Sequence, residues 1–254
     1  LYAAGLDEPI VECIQDMEEC CVKLSGRLQA VAKLIGPYSS VADIGSDHAY
    51  LPVALIASKN VSFVVAGEVN PGPLKAAKLT IAASGMEDHI SARLGDGLQV
   101  LAPGEVEAVV IAGMGSAVIR GILERSPEVT GSLRRIICQP MAGAVQMRQW
   151  FQKQGWKLVE EDLVLEEGRL YEILAAEPGE MSPMEPMLLE IGPLLWQNRH
   201  PLLREHLKRL LQKTWKQSAA MAKSEDPDVL AKREICQEKI RMLEGMIQCV
   251  SIAE

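Results

Sequence analysis

Five apolar runs of strand length, each followed by a helical stretch, and then an alternating strand pair predict a doubly wound, mostly parallel α/β sheet of seven strands. A final pair of amphipathic segments adds a carboxyl-terminal α-helical coiled-coil hairpin. Two further observations support this class. Glycine-bearing polar turns close the runs at their carboxyl ends, where an open parallel sheet holds its ligands. A chain of 254 residues can also bury one good core and keep an appendage.

Residues 1–22 carry Asp7, Glu8, Glu12, Asp16, Glu18 and Glu19 and no Lys or Arg; they read as an acidic extension, helical from Ile10, with no function attached. From Lys23, the apolar positions Leu24, Leu28, Val31, Ala32 and Ile35 recur at helical spacing, between the cap Ser25 and the stop Gly36-Pro37. The run from Val41 is the first strand, turning at Gly45 to Ala49 into a helix that opens near Tyr50 and runs to Ala57. Val61 to Ala66 makes the second strand and Pro71 to Ser84 its helix. Ile90 to Leu94 makes the third, closed by Gly95-Asp96-Gly97. Val106 to Ala112 enters Gly113-Met114-Gly115-Ser116 and a helix over Ala117 to Glu124, while Arg135 to Gln139 enters Pro140-Met141-Ala142-Gly143 and a helix over Val145 to Lys153. Trp156 to Leu165 and Arg169 to Ala176 alternate around Glu167-Gly168, which marks a β-hairpin at an antiparallel edge.

Pro178, Pro183 and Pro186 make residues 178–186 a linker between a ligand-binding domain over 23–177 and a helical domain over 187–254. In the latter, Leu203, Leu207, Leu210 and Thr214 form one apolar seam and Cys236, Ile240, Leu243, Ile247 and Val250 a second, with Asp226-Pro227-Asp228 turning the chain back.

Hydrophobic residues make up 48% of the chain, but no apolar run is long enough to span a bilayer and no signal peptide is recognisable, so a soluble cytoplasmic protein with no membrane partner is expected. The six cysteines, Cys13, Cys20, Cys21, Cys138, Cys236 and Cys249, show neither a C-x-x-C pair nor a companion histidine, which argues against a metal site or disulfide framework. Net charge is −8, unevenly placed. Residues 1–198 hold 15 Lys and Arg against 26 Asp and Glu, net −11, whereas residues 199–244 hold 11 against 7, net +4. The basic segment, including Lys208, Lys213, Lys216, Lys232 and Arg233, is the candidate nucleic-acid contact, although a solvated helix face explains part of it.

The turn after the first strand holds the densest chemistry. Gly45 lets the backbone approach a ligand, the helix opening beyond it offers free amides, and Asp43 can accept hydrogen bonds from a cationic or hydroxylated group. Asp47 and Ala49 stand where a dinucleotide fingerprint has its second and third glycines, and a carboxylate there repels pyrophosphate. S-adenosylmethionine, with a sulfonium, an ammonium and no phosphate, suits such a turn better than NAD. Glu68, about 20 residues on, suits two ribose hydroxyls. Asp96 between two glycines can reach an adenine edge, and Gly113-Met114-Gly115 lets a planar ring pass over the backbone with the thioether against it. Each motif alone also fits an ordinary turn; their recurrence at successive strand ends gives them weight.

The stretches Leu24-Ser25-Gly26-Arg27-Leu28, Val41 to Pro52, Ala112-Gly113-Met114-Gly115, Gln139-Pro140 and Gly168 to Ile173 together resemble the bacterial tRNA (adenine(22)-N1)-methyltransferases, a class I methyltransferase family. The likeness runs from Lys23 to the end; Ser116 and Met141 depart from it, at positions where a second glycine and, in many members, an asparagine are expected. It implies a Rossmann-like fold and methyl transfer from S-adenosyl-L-methionine to N1 of an adenine in the D-arm region of tRNA, with no metal and a monomer favoured. Under it, Arg27, Asp43, Gly45, Ser46, His48, Glu68, Val69, Asn70, Gly95, Asp96, Gly97, Ala112, Gly113, Met114 and Gly115 hold the cofactor. Asp47 is the candidate for stabilising the cationic product, and His48 or Tyr50 for receiving the extruded base, with bracing of the cofactor loop the other reading of His48. A class I methyltransferase acting on another RNA, a non-catalytic module with a vestigial pocket and a nicotinamide oxidoreductase are the alternatives.

Overall fold

The structure, a computed structural model, describes residues 22–252; the acidic extension expected over 1–22 otherwise lies outside them. Its elements in order are α1 (Gly26–Lys33), β1 (Ser40–Ile44), α2 (Tyr50–Ala57), β2 (Phe63–Glu68), α3 (Pro71–Ala83), β3 (Ile90–Leu94), a 3₁₀ turn (Gly97–Val100), β4 (Ala108–Met114), α4 (Ser116–Arg125), α5 (Pro127–Ser132), β5 (Arg135–Pro140), α6 (Ala144–Lys153), β6 (Trp156–Glu166), β7 (Arg169–Pro178), α7 (Pro186–Ile191), α8 (Pro193–Gln197), α9 (Leu203–Ala220) and α10 (Pro227–Ile252). The seven-stranded sheet has the order β3-β2-β1-β4-β5-β7-β6. Strands β1 to β5 pair in parallel and β7 runs antiparallel to both β5 and β6. The strand order reverses between β1 and β4, which opens a crevice at their carboxyl ends.

Alternate strand residues feed two apolar layers. Val41, Val64, Ala108, Val110, Ile137 and Ile173 pack with α1, α2 and α3 on one face. Ala42, Val65, Val109, Ile111, Ile136, Cys138 and Leu174 pack with α4 and α6 on the other. Because both faces are covered, these strands read as continuous apolar runs. Val22, assigned by the sequence to the extension, is buried in the first of these layers.

Strands β2 and β4 begin and end two residues later than the apolar runs that marked them. Apolarity reports burial, while the strand continues as long as its ladder does, and Glu68 still pairs with Leu94. Glu68 is therefore buried, and so is Asp43, which β1 holds between β2 and β4; each is 5% exposed rather than standing at an exposed strand end. The short helices α5, α7 and α8 were not legible in the sequence; each opens on a proline and is too brief to show a period.

Helices α9 and α10 pack through the expected seam, in which Leu203, Leu207, Thr214, Ile240, Leu243 and Val250 are buried. The short turn between Met221 and Asp226 makes them antiparallel. At the root of this hairpin Leu163 of β6 joins Met187, Ile191, Leu195, Leu203, Leu207, Leu243 and Val250 in one apolar cluster, so the core crosses the proline-rich stretch. Beside it the fully buried Arg148 of α6 donates from Nε to Glu161 Oε1 at 2.6 Å, from Nη2 to Glu172 Oε2 at 2.7 Å and from Nη1 to the Leu189 carbonyl at 3.1 Å. Glu161 also accepts the Leu194 amide, and Lys239 of α10 pairs with Glu190.

Candidate active site

The carboxyl edge of the sheet brings together every cleft residue singled out in the sequence. The turn joining β1 to α2 is folded tightly: Gly45 N–H donates to the Gly67 carbonyl at 2.9 Å and Ala49 N–H to the Ser46 carbonyl at 3.0 Å. Gly45, Asp47 and Ala49 have φ of +77°, +56° and +55°. Two non-glycine residues in the left-handed region within three positions is strain of the kind found at ligand-binding turns. Glu68 helps hold it, because its carboxylate accepts the Asp47 amide. A Cβ on Gly45 would lie 2.4 Å from Met114 Cε, so the Met114 thioether caps this first turn. That places the Gly113-Met114-Gly115 turn against the β1 turn.

Burial is the dominant influence on the acids. It pushes the Asp43 carboxyl up to about 7, with the nearby Glu68 adding to the effect and Ser46 and Arg27 opposing it. Burial also raises Glu68, against the hydrogen bond from the Asp47 amide. Among the described residues neither acid has an ion-pair partner. Two buried acids without an ion-pair partner, on a cleft whose first turn carries Gly45 at a φ of +77°, fit a ligand carrying an ammonium and hydroxyls. Asp96 is different: its carboxylate is half exposed and pairs with Arg125 of α4 at 3.1 Å. Val69 and Asn70 are exposed beyond β2, Gly95 and Gly97 flank Asp96 at the end of β3, and Ala112 is half-buried in β4. Gly97, with φ +58° and its Cα packed against Ile122, admits no side chain.

The candidate base-contacting residues Asp47, His48 and Tyr50 are exposed, on this turn and at the start of α2. The rings of His48 and Tyr50 stack with centroids 5.2 Å apart and planes inclined by 12°. Asp47 projects into solvent, its side chain 72% exposed and 3.9 Å from His48 Nε2.

Several residues that matter to the geometry had no assigned place in the sequence reading. Gln139, fully buried at the end of β5, accepts from Arg27 Nη1 at 2.8 Å and from the Gly113 amide at 3.2 Å, so it joins α1 to the β4 turn. Arg27 also lies over the ring of Tyr171, and its own amide donates to Glu166 Oε1. Their signal was the Gln139-Pro140 and Gly168-to-Ile173 stretches, whose roles depend on contacts across the sheet. Lys208, Lys213, Lys216 and Lys232 are exposed on the hairpin, apart from the cleft-forming turns, and Arg233 is half-buried. Among the described residues no group of three or more His, Cys, Asp or Glu is arranged to hold a metal ion, and no described helix is long and apolar enough to cross a membrane.

Residues 41–245 match the family model of the tRNA (adenine(22)-N(1))-methyltransferases. The Bacillus subtilis enzyme of that name is 40% identical over 197 residues, covering 77% of this chain and 81% of its own. The crystal structure of the B. subtilis tRNA methyltransferase TrmK superposes with a TM-score of 0.81 at 35% identity, over 89% of this chain and 99% of that one. Streptococcus pneumoniae Sp1610, solved in complex with S-adenosyl-L-methionine, gives a TM-score of 0.78 at 30% identity, over 89% of this chain and 100% of that one. A match running from β1 into the second helix of the hairpin, with a relative this similar across most of its length, shows that the chain belongs to the tRNA (adenine(22)-N(1))-methyltransferase family.

Proposed function

We propose that this chain acts in the cytoplasm, as a monomer, transferring the methyl group of S-adenosyl-L-methionine to N1 of adenine 22 in tRNA, with the labour divided among its residues as follows. The observation that carries the cofactor assignment is the pair of buried acids Asp43 and Glu68 at the β1 and β2 ends, neither in an ion pair among the described residues. Asp43 accepts from the ammonium group and Glu68 from the ribose hydroxyls, while Gly45, Ser46, Val69, Asn70, Gly95, Gly97, Ala112, Gly113 and Gly115 supply backbone and small surfaces around the nucleoside. Asp96 reaches the adenine edge, and Arg27 steadies the site through Gln139. When bound, the cofactor supplies an electrophilic methyl group on a sulfonium.

Adenine N1 presents its own lone pair, so the chain need not remove a proton from it. The lone pair forms the new N–C bond as the S–C bond breaks, and its electrons stay on sulfur as a thioether. The positive charge moves to the adenine ring. Positioning is the main contribution, since a near-attack geometry replaces a bimolecular encounter. Asp47 lies on the lip where the base arrives, and its carboxylate favours the ring charge as it develops. The stacked His48 and Tyr50 offer an aromatic face to the extruded base. The exposed Lys208, Lys213, Lys216 and Lys232, with Arg233, hold the tRNA backbone, a task the acidic remainder of the chain is poorly suited to. Incubation with methyl-labelled cofactor and unmodified bulk tRNA, followed by nucleoside analysis and mapping, should yield 1-methyladenosine at position 22. Labelled methyl in any other nucleoside, or none at all, overturns the assignment.

A further inference from the structure

We propose that Tyr171 and Arg169, at the start of β7, hold the nucleotide next to the target adenine: Tyr171 stacks on its base and Arg169 pairs with its phosphate. This rests on the tRNA reading above. Sheet geometry supplies the placement. The cofactor acids Asp43, Glu68 and Asp96 lie at the carboxyl ends of β1, β2 and β3 and the cofactor turn Gly113 to Gly115 closes β4, which leaves the end of β5 and the start of the antiparallel β7 for the acceptor. Strand β7 runs antiparallel to β5 with Cys138 opposite Leu174, so its first residues, Arg169 to Tyr171, extend past the carboxyl end of β5. They reach back to the cleft through one relay: Tyr171 meets Arg27, Arg27 donates to Gln139, and Gln139 accepts the Gly113 amide beside Met114.

The chemistry there is that of a nucleotide contact. The guanidinium carbons of Arg27 and Arg169 lie 5.7 Å and 5.5 Å from the centroid of the Tyr171 ring. Among the described residues neither guanidinium has a carboxylate ion-pair partner, although residues 1–198 carry a net −11. Two like charges gathered on one aromatic ring repel, and a phosphate paired with the exposed Arg169 relieves that repulsion and draws its guanidinium off the Tyr171 ring, which frees that face for a base. Extrusion of an adenine also leaves its neighbour unstacked, and that neighbour is the base an aromatic rim residue can take. The turn carrying this pair is tied to the basic hairpin, since Arg209 of α9, held by Glu205 at 2.7 Å, donates to the Gly168 carbonyl at 2.9 Å. That bond ties the turn before this pair to the helix that carries Lys208, Lys213 and Lys216.

The test uses the full chain and the variants Tyr171→Phe, Tyr171→Leu and Arg169→Gln, with cofactor affinity by calorimetry, KM for tRNA at saturating cofactor, and direct tRNA binding across a salt series. Tyr171→Leu and Arg169→Gln should each raise KM for tRNA roughly 10-fold, with Tyr171→Phe close to wild type and cofactor affinity unchanged throughout. Arg169→Gln should also flatten the log–log salt dependence of tRNA binding by about 0.7, the share of one single-strand phosphate contact. Unaltered KM and salt slope in both Arg169→Gln and Tyr171→Leu, with wild type active, overturns the proposal, as does an equal loss of cofactor affinity in Tyr171→Leu. Should Tyr171→Leu fail to fold, the exposed Arg169→Gln decides alone through its salt slope. Inactive wild type would count against the reaction instead, and the binding series would still decide the role of this pair.

Discussion

At neutral pH the cleft holds a carboxyl group, Asp43, that is only partly ionised, because burial pushes it up to about 7. The sign of its effect on stability follows. Its folded pKa lies above the ordinary value of 3.8, so the folded chain holds that proton more tightly than the unfolded one. Stability is therefore greatest at low pH as far as this group is concerned, and it declines as pH rises from about 4 through about 7, by something on the order of 4 kcal/mol at the end. Asp43→Asn should remove that decline: its melting temperature should gain on wild type between about pH 5 and about pH 8, while its affinity for S-adenosylmethionine falls roughly 10- to 150-fold. A variant that loses stability relative to wild type as pH rises would show that the ionised form is favoured in the fold. Asp47 differs because its side chain is 72% exposed and its proposed partner is charge that arises only during transfer. Asp47→Asn should keep cofactor affinity within a few-fold and lower the single-turnover rate by about 100-fold. Collapse of affinity with an intact rate at saturating cofactor would make Asp47 a cofactor ligand instead.

Among the elements, the β1–α2 turn concentrates the constraint, and Gly45 is its tightest point. An alanine there meets two costs: a φ of +77° and a Cβ 2.4 Å from Met114 Cε. The second is relieved if the flexible end of Met114 moves, but the first persists at about 1–2 kcal/mol. Gly45→Ala should accordingly melt a few degrees lower and bind cofactor much more weakly, and adding Met114→Ala should recover part of the affinity without restoring stability. Equal recovery of both quantities would assign the whole effect to the clash. The helices follow simpler rules. α1 starts at the Ser25 cap, whose hydroxyl accepts the Leu28 amide, and α3 starts with a proline at its first position, both as the residues indicated.

For the whole molecule, a buried guanidinium joins α6, β6 and β7 to α7 at the root of the hairpin, beside the apolar cluster. Arg148 neutralises Glu161 and Glu172 and satisfies carbonyls at the end of α7, so Arg148→Met leaves Glu161, whose side chain is fully buried, without its cation. A loss of about 3–5 kcal/mol is expected, measured by denaturant unfolding, and Glu161→Gln in the same chain should recover much of it. The same joint governs truncation. Removing everything after Pro186 strips Ile191, Leu195, Leu203, Leu207 and Leu243 from Leu163, so the remainder should melt well below the full chain. Charge reversal at Lys208, Lys213 and Lys216 is the cleaner probe of the hairpin, since all three are exposed. It should weaken tRNA binding and flatten its salt dependence while leaving the melting temperature and cofactor affinity in place. Full tRNA affinity in that variant would make the hairpin a structural element only.

Local chemistry determined much of this protein from the sequence alone. The parallel strands, the turns at their ends, the cleft acids and the hairpin seam each depend on neighbours a few residues away, through glycine geometry, strand and helix period, and proline. What only the tertiary structure decided involves residues distant in the chain. That Glu68 is buried rather than exposed depends on β2 pairing with β3 past the apolar run, and Asp43 is buried because β1 is paired on both sides, with β2 and β4. That Gln139 joins Arg27 to Gly113, that Arg148 closes on α7, and that Tyr171 gathers two arginines all depend on strands and helices meeting across the sheet. A side chain's partner across a fold is set by packing of whole elements, and no periodicity within one element records it.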